Sequence, residues 1–203
     1  MKYVSLDIET TGLDAHQDQI LQIAMVVEDT FKPETPVEEL PSFVALLNHN
    51  YFRGNAFALA MNAWILSAIA SGKSEYPIYN VHEYPQQTFE PGEISGPSFN
   101  YPMWIQNILT FLDAHFGEGT RVTLAGKNVA GFDLQFLPQE IKNRVRHRVL
   151  DVGPLFVDFS KDAVVPDLKE CMKRAYPDKV YEVSHDALED ARDVIRLLRT
   201  RYT

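Results

Sequence analysis

The chain has 203 residues, 45% apolar and 23% charged, which suits one domain with a full hydrophobic core, or one domain carrying a large insertion. No apolar run approaches the roughly 20 residues that span a bilayer. The single cysteine, Cys171, excludes an intrachain disulfide and a thiolate metal cluster, so any bound metal must sit on oxygen or imidazole. The formal charge of −9, from 19 basic and 28 acidic side chains, argues against a protein that grips long stretches of duplex, but not against a local phosphate site bridged by cations.

The chain reaches a carboxylate at Asp7, too early for a secretory leader, and with one cysteine a reducing, cytoplasmic compartment is expected. Residues 3–7 read as a strand, followed by a turn at Thr11-Gly12-Leu13-Asp14. Further strands are expected over 20–27 and 43–47, making a β-meander. Residues 56–71 place Phe57, Ala60, Met61, Trp64, Ile65 and Ala68 at helical spacing, which predicts one helix whose apolar stripe packs in the core. The character then changes. Residues 74–101 carry Pro77, Pro85, Pro91 and Pro97 with six aromatic side chains, and read as a long inserted connection with room for a short hairpin.

Pro102 suits the first turn of a helix whose Ile105, Ile108, Leu109, Leu112 and Phe116 share a face, with Gly117 as its stop. A strand over 121–125 leads into Gly126-Lys127-Asn128, a helix is expected over about 131–141, and a short strand over 148–152. Pro166 opens a helix with Leu168, Cys171 and Met172 inward. The last helix is expected over 187–199, with Leu188, Ala191, Ile195 and Leu198 on one side. This order predicts a single layered α/β domain, residues 1–203, with a mixed sheet and an inserted loop at about 74–101.

Three acidic constellations stand out. Asp7 and Glu9 are two apart at the end of an otherwise apolar strand, so they point to one face. Two carboxylates there repel unless a cation, best a hard divalent one, sits between them; the bland alternative is a solvated strand end. Asp133 ends Asn128-Val129-Ala130-Gly131-Phe132-Asp133, where a strand passes into a helix, and alone reads as a first-turn residue favoured by the helix dipole. In His185-Asp186-Ala187-Leu188-Glu189-Asp190, Asp186 and Glu189 have the spacing of a reciprocal N-cap. His185 would then lie just outside the helix in extended backbone, Asp190 would face inward, and Asp186, Glu189 and Asp193 would be cap and solvent-facing residues. Cys171 reads as core.

Together these segments resemble the DEDD exonucleases, the superfamily of polymerase proofreading exonucleases and ribonuclease T. Asp7-Ile8-Glu9-Thr10-Thr11-Gly12-Leu13-Asp14 is similar to the first motif, residues 128–133 to the second, and His185 with Asp190 five positions on to the third in its histidine (DEDDh) form. The resemblance covers the motifs and the general layout, but not residues 74–101. It implies a ribonuclease H-like three-layer fold with a five-stranded mixed sheet flanked by helices. It also implies two divalent cations, Mg²⁺ or Mn²⁺, on Asp7, Glu9, Asp133 and Asp190, which such oxygen donors suit. His185 would be the general base, since an imidazole titrates near neutral pH.

The implied reaction is 3′→5′ hydrolysis of single-stranded nucleic acid ends to nucleoside 5′-monophosphates, and the Thr10-Thr11 form favours DNA over RNA. Thr10, Gly12, Leu13, Asn128 and Phe132 are the expected substrate contacts. Leu13 and Phe132 stay open between base packing and core. Asn62 is placed facing the site, and a base wedge is the alternative for Phe57, Met61 and Trp64. No membrane partner is expected, and the sequence leaves a dimer open. Two other readings stand beside the enzyme: a non-catalytic module that binds 3′ ends, and a structural α/β protein with chance acidic clusters.

Overall fold

The computed structural model describes residues 1–83, 101–182 and 184–203. Its centre is a mixed sheet of six strands in the order β4-β3-β2-β1-β5-β6. β1 (Lys2–Thr10), β2 (Ile20–Asp29) and β3 (Ser42–Asn48) form the expected antiparallel meander. β5 (Leu124–Gly126) joins β1 in parallel, and β6 (Leu150–Asp151) joins β5 in parallel.

The expectation of five strands is corrected by β4 (Ile78–Asn80), which lies parallel to β3 at the sheet edge. It comes from the segment read as a long connection with room for a short hairpin, and three residues are too few to carry a period-2 signal. Tyr79 packs against the core beneath. The rest of that inserted loop, residues 84–100, lies outside the described residues.

Helices cover both faces. Along β1, Val4, Leu6 and Ile8 point to the side of α3 (Met103–Phe116), where Trp104, Ile105, Ile108 and Leu112 bury against them. Tyr3 points the other way, to α6 (Leu168–Ala175) and α7 (Ala187–Arg199), with Cys171, Met172, Ala191, Val194 and Ile195 buried beside it. By strand alternation Ser5, Asp7 and Glu9 share the Tyr3 face. α7 matches its expected bounds. α6 begins two residues after Pro166, behind Asp167, whose carboxylate accepts the Glu170 N–H at 2.7 Å.

Two expected helices are broken. Residues 56–71 form α1 (Ala56–Met61) and α2 (Ala63–Ser71), which meet at Asn62 with φ −95° and ψ 21°. Residues 131–141 form α4 (Asp133–Phe136) and α5 (Gln139–Lys142), split by Pro138, which has no N–H to continue the first. Among the described residues no helix is long and apolar enough to cross a membrane.

Candidate metal centre

The end of β1 and the start of α7 bring three of the four expected carboxylates together. On β1, Asp7 and Glu9 stand opposite Ala24 and Gln22 of β2. Ala24 is fully buried and small, so α7 can lie close over the strands at this point. Asp190 then projects from the first turn of α7, its N–H donating to the Asp186 carbonyl at 3.0 Å. One carboxylate oxygen each from Asp7, Glu9 and Asp190 lie within 4.8 Å of one another. The strand end is not freely solvated: Glu9 is only 8% exposed and Asp190, which covers it from α7, 7%, while Asp7 is part-exposed. Asp133 is the first residue of α4, as expected, and is buried. It stands outside the group of three, yet after burial itself its charge is the largest influence on Asp7.

All four carboxylates are pushed towards their neutral forms. Asp7 is held well above the usual range by burial and then by Asp133, Asp190, Glu9 and Asp186. Glu9 rises to about 7 through burial and Asp190, partly offset by a hydrogen bond from Asn62. Asp190 rises to about 7 through burial and Asp193, with Ser184 opposing. Asp133 rises to about 7 through burial, opposed by the backbone N–H groups of Asp133 and Ile8. Among the described residues no lysine or arginine pairs with any of the four. Three carboxylates brought together, with Asp133 acting on Asp7 and no lysine or arginine paired with them among the described residues, could hold a hard cation. Cys171 is buried away from them in the core, as expected.

The turn before α7 departs from its expected form. His185 is not extended but left-handed, with φ 50°. Its ring is part-exposed, and the residues on either side touch the acidic group. The Ser184 hydroxyl donates to Asp190 at 3.3 Å, and Asp186 is close enough to act on Asp7 and Glu9 by charge. Asp186 does cap α7, accepting the Leu188 N–H at 2.9 Å. The reciprocal half of the cap is absent, because Glu189 turns to Arg192 and Arg196 and the Asp186 N–H goes to Ser184. Asp193 is not solvent-facing. It is 5% exposed, held by the Tyr181 hydroxyl and Arg196; two partners distant in sequence or a turn away satisfy it inside the fold.

The expected substrate contacts divide. Leu13 is 83% exposed, so its core alternative is excluded. Phe132 is half-buried against the core, its ring 5.1 Å from that of Phe136. The Thr10 hydroxyl is used inside the turn, donating to the Gly12 carbonyl at 2.6 Å. A Cβ on Gly12 would stand 2.2 Å from an Asp18 carboxylate oxygen, so a side chain there would displace Asp18. Asn128 is exposed and left-handed (φ 58°); its N–H donates to Asp151 and its carbonyl accepts from Gly131 and Phe132, so it shapes the entry to α4. The core expectation for Phe57, Met61 and Trp64 is corrected. Phe57 and Trp64 are exposed and Met61 is half-buried, because the helix break turns their stripe outward while Ile65 and Ile69 go in.

Asn62 does face the site. It is 2% exposed, donates to the Thr10 carbonyl at 3.0 Å and hydrogen-bonds Glu9. Gln22, Tyr76 and Ser184 were not legible as site residues; the one signal was a glutamine inside an apolar strand. A scan of protein-family models finds no match to the chain, and no curated protein matches it either.

Proposed function

We propose that the chain is a metal-dependent 3′→5′ exonuclease of the DEDDh type on a ribonuclease H-like fold with one added edge strand. One observation carries the reading: Asp7, Glu9 and Asp190 converge within 4.8 Å with no lysine or arginine paired with them among the described residues, and Asp133 is buried, in the order the three motifs require. Asp7, Glu9 and Asp190 would hold one divalent cation and Asp133, with Asp7, would help hold a second, Mg²⁺ or Mn²⁺ by donor type. Such a pair supplies a clamp on the attacking and leaving oxygens of an in-line displacement.

The chain's own residues do the rest. His185 takes the proton of the attacking water as its oxygen bonds to phosphorus. The bond from phosphorus to the 3′-oxygen of the shortened strand breaks, that oxygen takes a proton from solvent water to become the new 3′-hydroxyl, and a nucleoside 5′-monophosphate leaves. Asn62 fixes Glu9 against the Thr10 carbonyl. Exposed Leu13, Phe57 and Trp64 offer apolar faces on which unpaired bases stack, which suits a single strand. DNA is the favoured substrate, by the Thr10-Thr11 form of the first motif.

The test is a 5′-labelled single-stranded DNA and its RNA counterpart, incubated with Mg²⁺, Mn²⁺ or EDTA beside an Asp7→Ala control. A metal-dependent ladder shortening from the 3′ end, longer-lived in RNA and absent with the control, is expected. Intact strands with every metal, from a folded protein, would overturn the reading.

A further inference from the structure

His185 sits in a turn anchored by side chains from three other parts of the fold. Its left-handed backbone (φ 50°) is one that a residue with a Cβ keeps only where its surroundings impose it. Trp64 of α2 donates its indole N–H to the His185 carbonyl at 3.0 Å. Tyr76, between α2 and β4, donates its hydroxyl to Asp186 Oδ2 at 2.9 Å. Gln22 of β2 donates to Asp186 Oδ1 at 3.0 Å and accepts the Ala187 N–H at 3.0 Å. Both ends of this fully buried amide are thus spent on the one turn.

Capping accounts for part of this, since Asp186 takes the Leu188 N–H and Gln22 the Ala187 N–H, but it asks for neither Trp64 nor Tyr76. Core packing does not account for Trp64 either, because the residue is 37% exposed; among the described residues its indole N–H has the histidine carbonyl as partner.

We propose that Trp64 and Tyr76, with Gln22, are positioning residues that hold the His185 turn in one register against the carboxylates. The inference rests on His185 being the general base. A base must come within about 2.6–3.2 Å of the proton it takes, and displacement of a reacting group by about 1 Å can cost about a hundredfold in rate. None of the three reaches the reacting atoms in this role; each acts through a peptide group or carboxylate beside the histidine. The exposed face of Trp64 would also feel a base stacked on it, which links occupancy of α2 to the placement of His185.

Tyr76→Phe deletes one donor and keeps its ring, and Trp64→Phe deletes one donor and leaves a smaller aromatic ring in its place. On a 3′-ended oligonucleotide each should lower kcat about tenfold, the scale of lost outer-layer hydrogen bonds at such sites, with Mn²⁺ affinity unchanged in both and KM unchanged in Tyr76→Phe. In a His185→Ala background neither should lower kcat further, because residues acting through one group are not additive. An equal fall in both backgrounds, or a rise in KM alone, would overturn the proposal. Nuclear magnetic resonance reads the turn without any turnover, so a failure of the exonuclease reading stays separate. The Ala187 amide should exchange slowly in the wild type and faster in both variants, with the His185 ring signals broadened or doubled. Unchanged exchange and unchanged ring signals in both variants would show that these donors do not hold the turn.

Discussion

Asp7, Glu9, Asp133 and Asp190 are each raised above the ordinary carboxylate range, three of them to about 7. Between about pH 4, where an unfolded chain releases these protons, and about pH 7, the folded metal-free chain holds protons that the unfolded chain has lost. Their contribution is therefore favourable below that window and is lost as pH rises through it. In EDTA, Asp7→Asn should melt higher than the wild type at pH 8 and show little gain at pH 4.5. Mn²⁺ should raise the wild-type midpoint more at pH 8 than at pH 4.5, because the ion competes with protons. An Asp7→Asn midpoint no higher at pH 8 would contradict the mutual repulsion. His185→Ala should lower kcat by about 10²–10⁴, the range of general-base catalysis, and leave Mn²⁺ binding in place; turnover equal to wild type would remove the histidine from the chemistry. Asp7 and Glu9 were legible because a strand's period is simple. Asp193 was not, since only the fold reveals Tyr181 and Arg196 around it.

At the scale of elements, α7 is the beam that sets Asp190 over β1, and it is fixed at both ends. Asp186 caps its start. At its end Arg199 donates to Glu28 at 2.8 Å, and the Glu28 side chain is fully buried. Arg199→Ala leaves that carboxylate alone in the core, which should cost about 3–5 kcal/mol in a urea titration; a cost below about 1 kcal/mol would mean that Glu28 is rehydrated. Asp167→Ala at the start of α6 should cost about 1 kcal/mol with nuclease activity unchanged, and a large activity loss there would tie α6 to the site. The meander, α3 and α7 were readable because long amphipathic runs average out local exceptions. The break at Asn62 was not, because Met61, Trp64 and Ile65 keep helical spacing straight through it. It is the break that sends Asn62 inward to Glu9 and the aromatic stripe outward.

For the molecule as a whole, the charge of −9 and the placement of its cations point the same way. Arg121, Arg146 and Arg148 line one hollow with Met1 and Leu150, at the ends where β5 and β6 begin. β1 runs parallel to these strands and carries Asp7 and Glu9 towards its far end. These three arginines thus lie away from the carboxylates, while Lys127, next after β5, stands at the carboxylate end of the sheet, so a bound strand should meet few cationic side chains there. With about two such contacts on a single strand, affinity should fall less than about tenfold between 50 and 200 mM salt, and cleavage should be distributive. A steep salt dependence with long processive runs would show that a strand is gripped far from its 3′ end.

The most direct test of the metal centre is a calorimetric Mn²⁺ titration of the wild type and of Asp7→Asn at pH 7.5. Two ions per wild-type chain, with binding weakened more than about tenfold in the folded variant, is the expected result. A folded wild type that takes up no Mn²⁺, or a variant that binds it as the wild type does, would contradict a cation site on Asp7, Glu9, Asp133 and Asp190.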